Sequence, residues 1–135
     1  MVALTHAIST LTLVGLIWTI QIVHYPLMAM VPPATYPAYQ GAHQRRITFL
    51  VSPLMVLEGL SAILILFEQS GSPVYRGGLV ALLLIWLSTA LIQVPCHRLL
   101  IDGFDPGLHR RLVRTNWIRT SLWTVRICPA VWPFL

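Results

Sequence analysis

Four long apolar runs divide this chain, and short polar segments with prolines and glycines separate them. A helix needs about 20 apolar residues to cross a bilayer, so each run is long enough to be a membrane-spanning helix. The predicted spans are residues 5–30, 47–67, 79–100 and 112–133. The pattern therefore predicts one all-α domain over residues 1–135, a four-helix transmembrane bundle.

The segments between the runs are predicted to be loops and turns. Pro26 and then Pro32–Pro33 are expected to end the first span, near Met30. The segment from Pro32 to Arg46 is predicted to be a loop whose tyrosines suit the headgroup level. Glu68–Gly78 is predicted to be a short polar turn. Asp105 and Pro106 predict the start of the fourth helix, because aspartate is a common N-cap and proline fits the first helical position.

The composition supports a membrane protein. The chain is 56% hydrophobic and 10% charged, whereas soluble domains carry roughly 25% charged residues. No charged side chain precedes Arg45. The net charge of +5 does not indicate nucleic acid binding, because most of the arginines border apolar runs, as in membrane proteins. We expect a multi-pass protein of the cell membrane whose main partner is the lipid bilayer.

Arginine is distributed unevenly between the two ends of the predicted bundle. The first and third connections carry Arg45, Arg46, Arg98, Arg110, Arg111 and Arg114. The second connection carries only Arg76. Because positive charge favours the cytoplasmic side, we expect the first and third connections to be cytoplasmic and both termini to be outside.

A faint repeat relates the two halves of the chain. Gln21 and His24 end the first span, as Gln93 and His97 end the third. A glycine, a histidine and two arginines then open the second and fourth helices. The halves would then be tandem helical hairpins related by an axis along the membrane normal; the alternative is that His and Arg simply collect at cytoplasmic connections.

Glu58 lies near the middle of the second span. A carboxylate there costs roughly 2.5–3.5 kcal/mol on insertion scales, so it must be paired, protonated or functional. It is a candidate catalytic acid/base group, and the alternative is a structural pair with an arginine of the fourth helix. Helical rise places Glu58 between Arg119 and Arg126 in depth, so that either arginine is a possible partner.

One face of the fourth helix carries a polar stripe with helical spacing. Its members are Asn116, Arg119, Trp123 and Arg126. A stripe with two arginines should face the bundle interior rather than lipid. We predict that these four residues, together with Gln93 of the third span, bind substrate.

His24 and His97 are candidate catalytic and cofactor-binding residues. Each lies near the cytoplasmic end of its span, so the pair would be able to ligate one haem from both sides. The alternative is that they are buried polar residues that bond across helices. No HxxxH, ExxH or CxxC motif is present, so the spacing does not favour a metal site.

The end of the third span and the fourth helix resemble a known family. The segments Thr89–Pro95 and Arg111–Thr120 are similar to the anthrone oxygenase-like family of small four-helix membrane proteins. In that family a Val-Pro pair ends the third helix, and Asn followed by Arg-Thr opens the fourth; Cys96 and His97 stand here where the family has an asparagine. The resemblance implies cofactor-independent oxygenation of aromatic polyketides, which a few members perform.

A fainter likeness concerns His6 in the first helix. Its position is similar to that of a histidine in the four-helix membrane protoporphyrinogen oxidase of bacteria, which implies haem or porphyrin binding.

The sequence leaves several functions open. The first is an oxidoreductase or oxygenase that acts on a hydrophobic ring compound, or binds haem, in a cytoplasmic-side cleft. The alternatives are a non-catalytic subunit whose arginine-rich face binds lipid headgroups or a larger membrane complex, and a small proton-coupled transporter. Because four helices are few for a transporter, the last would require a homodimer.

Overall fold

The computed structural model describes residues 1–135 and contains only helices and their connections. The helices are α1 (Val2–Met28), α2 (Tyr36–Glu68), α3 (Pro73–Asp102), α4 (Pro106–Val125) and the short α5 (Ile127–Val131). Three of them, α1 to α3, are long and apolar enough to cross a membrane. Helix α4 carries four arginines and is not among the three.

The long helices form a closed ring in chain order. Each packs against its neighbours in the chain, and α1 packs against α4 and α5. Large apolar side chains cover the outside, including Leu50, Leu57 and Leu64 of α2. Polar side chains lie inside instead, among them Gln21, Gln93 and Glu58. This inside-out distribution is typical of a bundle surrounded by lipid.

Helix α2 begins eleven residues before the predicted span, at Tyr36, so the prediction of a loop as far as Arg46 is wrong. Pro37 occupies its first turn, where a missing N–H is tolerated. At 33 residues, α2 is about 50 Å long, and it extends beyond a hydrocarbon core of about 30 Å. Tyr36 packs in a buried cluster with Leu100 and Leu112, which holds the extra turns in place.

The second connection is also shorter than predicted. Helix α3 begins at Pro73, so residues 73–78 are helical and the predicted turn Glu68–Gly78 is wrong over that part. Gly78 allows a close approach: a Cβ at this position would lie 3.1 Å from the Pro129 ring of α5. The start of α4 is confirmed, because the Asp105 carboxylate accepts a hydrogen bond from the Leu108 N–H.

Helices α1 and α3 each contain one π-helical turn just before a proline. The turns are Ile20–His24 and Thr89–Gln93, and Pro26 and Pro95 follow each by two residues. A proline lacks the N–H of the regular ladder, and a local π turn adjusts the backbone around it. Helix α1 therefore continues past Pro26 and ends at Met28, two residues before the predicted end of the first span.

Candidate ligand-binding site

The polar stripe of α4 faces the interior, as predicted. Asn116, Arg119, Trp123 and Arg126 are all at least nine-tenths buried. Its two arginines have different surroundings, however. Arg126 belongs to a deep ion pair, whereas Arg119 lines a cavity nearer the connections α1–α2 and α3–α4.

The deep ion pair joins Glu58 and Arg126. Glu58 has no exposed surface, and its Oε1 atom lies 3.1 Å from both Nε and Nη2 of Arg126. The Thr10 hydroxyl donates to Oε1 at 2.9 Å, and the Trp123 indole N–H donates to Oε2 at 3.2 Å. Arg126 also donates to the Gly78 carbonyl. The predicted contact between Glu58 and an arginine of the fourth helix is therefore confirmed.

The Glu58 carboxylate has no access to a ligand in this arrangement. Both of its oxygens accept hydrogen bonds from the protein, and Glu58 does not line the cavity at Arg119. The contacts connect all four long helices at one point: α1 through Thr10, α2 through Glu58, α3 through Gly78, and α4 through Trp123. This geometry favours a structural role for the pair.

The cavity at Arg119 has a volume of about 250 Å³ and lies between the four long helices. Its walls are mixed. The apolar part includes Ile20, Ile47, Val51 and Met55. The polar part includes Tyr25, His43, Gln93, His97 and Arg119.

Arg119 is a buried cation without an anion. Its side chain is 8% exposed, its Nε has no hydrogen-bond partner, and it forms no salt bridge, because the one ion pair of the structure is Arg126–Glu58. Its guanidinium carbon lies 5.3 Å from the centre of the Trp123 ring, a cation–π contact. A buried charge that the protein itself leaves unpaired is unfavourable, so this cavity is suited to an anion or a strong acceptor.

Gln93 adds an unused acceptor to the same cavity. Its amide nitrogen donates to the Thr115 hydroxyl at 3.1 Å, while its buried Oε1 has no partner. Thr115 donates its own proton to the backbone carbonyl of Arg111, which fixes the orientation of the Gln93 amide. Two residues that line the cavity therefore have an unused polar atom: Gln93 has a free acceptor and Arg119 a free donor.

His97 orients a second donor, the hydroxyl of Tyr25. The Gln40 amide nitrogen lies 3.0 Å from His97 Nδ1 and donates to the His97 carbonyl at 3.2 Å. A carbonyl only accepts, so this atom is the amide nitrogen and Nδ1 is the acceptor. In the neutral ring, Nε2–H then donates to the Tyr25 oxygen, 3.3 Å away. The Tyr25 proton is left for an acceptor in the cavity.

His24 and His97 are near each other, but a third histidine contacts both rings. His43 stacks on His24 with ring centres 4.2 Å apart, and its ring centre lies 5.6 Å from that of His97. His24 does not line the cavity, and both ring nitrogens of His97 are already hydrogen-bonded. These residues therefore do not fit a haem held between His24 and His97. No group of three or more His, Cys, Asp or Glu side chains has the geometry of a metal site.

Only two of the five predicted substrate-binding residues line the cavity, Arg119 and Gln93. Asn116 instead donates to Gln21 Oε1 at 2.7 Å, and thereby connects α4 to α1. Trp123 and Arg126 belong to the Glu58 group, although the Trp123 ring also supports Arg119.

Four residues at this site were not predicted from the sequence: Tyr25, Gln40, His43 and Gln44. The last three have the spacing i, i+3, i+4, which places them on one helical face. Gln44 donates to the His97 carbonyl, as Gln40 does. Their common face was not recognised because this segment was predicted to be a loop.

Comparison with known proteins does not indicate a function, so a function has to be inferred from the geometry of this site. The chain has no significant match to a protein-family model, a curated protein or a solved structure.

Proposed function

We propose that this protein binds, within the membrane, a small ring compound that carries an acidic or strongly accepting oxygen. The observation that carries the proposal is Arg119, a buried guanidinium without a partner on the wall of the cavity between the four long helices. Charge-assisted hydrogen bonds are the strong ones, and a guanidinium matches a carboxylate in a bidentate way. A ligand oxygen would supply the partner that the chain does not.

The other residues that line the cavity indicate the polarity and the size of the rest of the ligand. Ile20, Ile47 and Met55 suit an apolar ring, and the free Oε1 of Gln93 suits a hydroxyl or amine donor on it. A cavity of about 150 Å³ holds benzene, so about 250 Å³ corresponds to a substituted single ring. The three fused rings of an anthrone, or a haem, would fill this volume and extend through the open side of the cavity, where Thr48 and Ser52 are exposed.

The same groups support an oxygenase-like chemistry, as the family resemblance implies. The Arg119 guanidinium and the Tyr25 hydroxyl are two preorganised donors on one cavity wall. Such donors stabilise negative charge that develops on an oxygen during a reaction. They would stabilise the oxyanion that forms when the bound ring compound loses a proton, with the electron pair held on the ring oxygen. The proton would pass to the imidazole of His43, which lines the same cavity. In this proposal His97 is a positioning residue, since it orients Tyr25.

A panel of soluble probes tests the ligand chemistry. We expect 4-hydroxybenzoate to raise the melting temperature of the purified protein in detergent more than benzoate, which lacks the donor for Gln93. The neutral 4-hydroxybenzamide, whose carbonyl accepts a hydrogen bond but carries no charge, should have a clearly smaller effect than the acid. At a hundredfold excess over Kd, the stabilisation is about 2.7 kcal/mol. Equal effects of the acid and the amide, or no effect of any probe, would overturn the proposal.

We further propose that α4, continued by α5, is a fourth span, and that the chain is two tandem hairpins. The π turns in α1 and α3 support the repeat, and Pro26 and Pro37 are as far apart in the chain as Pro95 and Pro106. Arg119 and the adjoining Arg126 are both buried inside the bundle. A span can carry two arginines in this way, whereas arginines that face lipid would be unfavourable.

The topology has its own test. The arginines at the α1–α2 and α3–α4 end favour that end in the cytoplasm, with both termini outside. A phosphatase fused after Leu135, active only outside the cytoplasm, should therefore be active. A green fluorescent protein that matures only in the cytoplasm should be dark at the same position. The opposite pair of results would contradict the orientation.

A further inference from the structure

Three arginines near the start of α4 form a basic patch on the surface. Arg110, Arg111 and Arg114 line one open pocket together with Gly107, Thr115 and Ile118. All three arginines are exposed, and none takes part in a salt bridge, since the one ion pair of the structure lies elsewhere. The patch is therefore an uncompensated positive surface at one end of the bundle.

An apolar groove begins where the basic patch ends. Ile118 belongs to both, and the groove continues between α3 and α4 along Leu84, Leu87, Leu91 and Leu122. Its contribution from α3 extends from Ile92 to Leu84, which is about 12 Å of helix. This length is close to the depth of one leaflet, which is about 15 Å.

We propose that the patch and the groove together bind one anionic phospholipid. The phosphate would lie on the arginines, because guanidinium groups bind phosphate in a bidentate way. One acyl chain would lie in the groove below Ile118. The basic patch continues directly into an apolar groove about as long as one leaflet is deep, and this favours a lipid as the ligand. An acidic protein surface would occupy the patch but leave the groove empty. This site is separate from the cavity at Arg119 and does not depend on the function proposed for it.

Native mass spectrometry of the purified protein tests this site with phosphatidylglycerol, phosphatidylcholine and soluble glycerol 1-phosphate as probes. We expect one bound phosphatidylglycerol per chain, at least tenfold preferred over phosphatidylcholine. The variant R110Q/R111Q/R114Q should lose that preference. The control R45Q/R46Q/R98Q removes the same charge at the same end of the bundle from other exposed positions, and it should keep the preference.

A second variant tests the groove without changing any charge. Ser121 is exposed and lines the groove, so S121W should fill it and weaken phosphatidylglycerol binding at least tenfold. Three results would overturn the proposal: equal loss in both arginine variants, glycerol 1-phosphate bound as tightly as the lipid, or no preference for the anionic lipid. The last would leave the patch to an acidic protein partner. Unchanged lipid binding by S121W would overturn it as well, because the groove would then hold no acyl chain.

Discussion

Replacement of Arg126 by methionine should lower the free energy of unfolding in detergent by about 3–5 kcal/mol, the usual effect of leaving one partner of a buried ion pair alone. Glu58 has no exposed surface, and Arg126 is the one cation that contacts it. Thr10 and Trp123 would still donate to the carboxylate, but neither would neutralise it. Unfolding in mixed micelles, followed by circular dichroism, measures the change.

Two control variants distinguish the effect of losing the Glu58–Arg126 ion pair from the effect of a general loss of packing. The double variant Glu58→Gln/Arg126→Met removes both charges and should recover part of the loss, because contacting residues are not additive. Arg98→Gln, at an exposed site on α3, should change stability by less than about 0.5 kcal/mol. A double variant as unstable as the sum of its single variants would contradict the ion pair. If Glu58→Gln alone were fully stable yet inactive, Glu58 would be an acid/base group instead.

Replacement of Arg119 by methionine should have the opposite effect on stability. Without a ligand, Arg119 is a buried charge that no acidic group compensates. Replacing a buried ion pair by apolar groups of similar size is often neutral or stabilising by about 1–4 kcal/mol, and a buried charge without a partner is less favourable than a paired one. The variant should therefore unfold at a higher fraction of denaturing detergent in the mixed micelles. Because a hydrogen bond to a charged group contributes about 1.5–3 kcal/mol, ligand affinity should fall roughly 10- to 100-fold.

The variant Arg119→Lys is the matched control for charge. Lysine keeps the positive charge but lacks the planar fork of the guanidinium and its stacking on an aromatic ring, which here is Trp123. We expect stability close to the wild type and intermediate affinity. If Arg119→Met instead destabilised the protein by more than about 1 kcal/mol, Arg119 would have a structural role rather than a role in ligand binding.

The sequence was sufficient for the parts of the fold that the bilayer dictates. Long apolar runs predicted membrane helices, since the chain must satisfy its backbone inside hydrocarbon. The contact between Glu58 and an arginine of α4 was predictable for the same reason, because no other acidic residue lies deep within an apolar run. Which arginine pairs with it was not, since the relative depth of two helices depends on their packing.

The first turns of α2, residues 36–46, and their contacts with His97 could not be predicted, because the thickness of the bilayer does not determine the structure of this segment. Residues 36–46 contain two tyrosines and five polar or charged side chains, and their helix is stabilised by tertiary contacts instead. Gln40 is fully buried and donates to His97, which comes from the other half of the chain. Such a contact has no local pattern. The unpaired state of Arg119 likewise became visible only when its neighbours were known.

The most direct test of ligand binding at Arg119 is isothermal titration of 4-hydroxybenzoate into wild-type and Arg119→Met protein in the same detergent. The account predicts one site per chain in the wild type, and an affinity at least tenfold lower in the variant. Equal affinity in both proteins would contradict it, because the ligand would then not be bound by the guanidinium of Arg119.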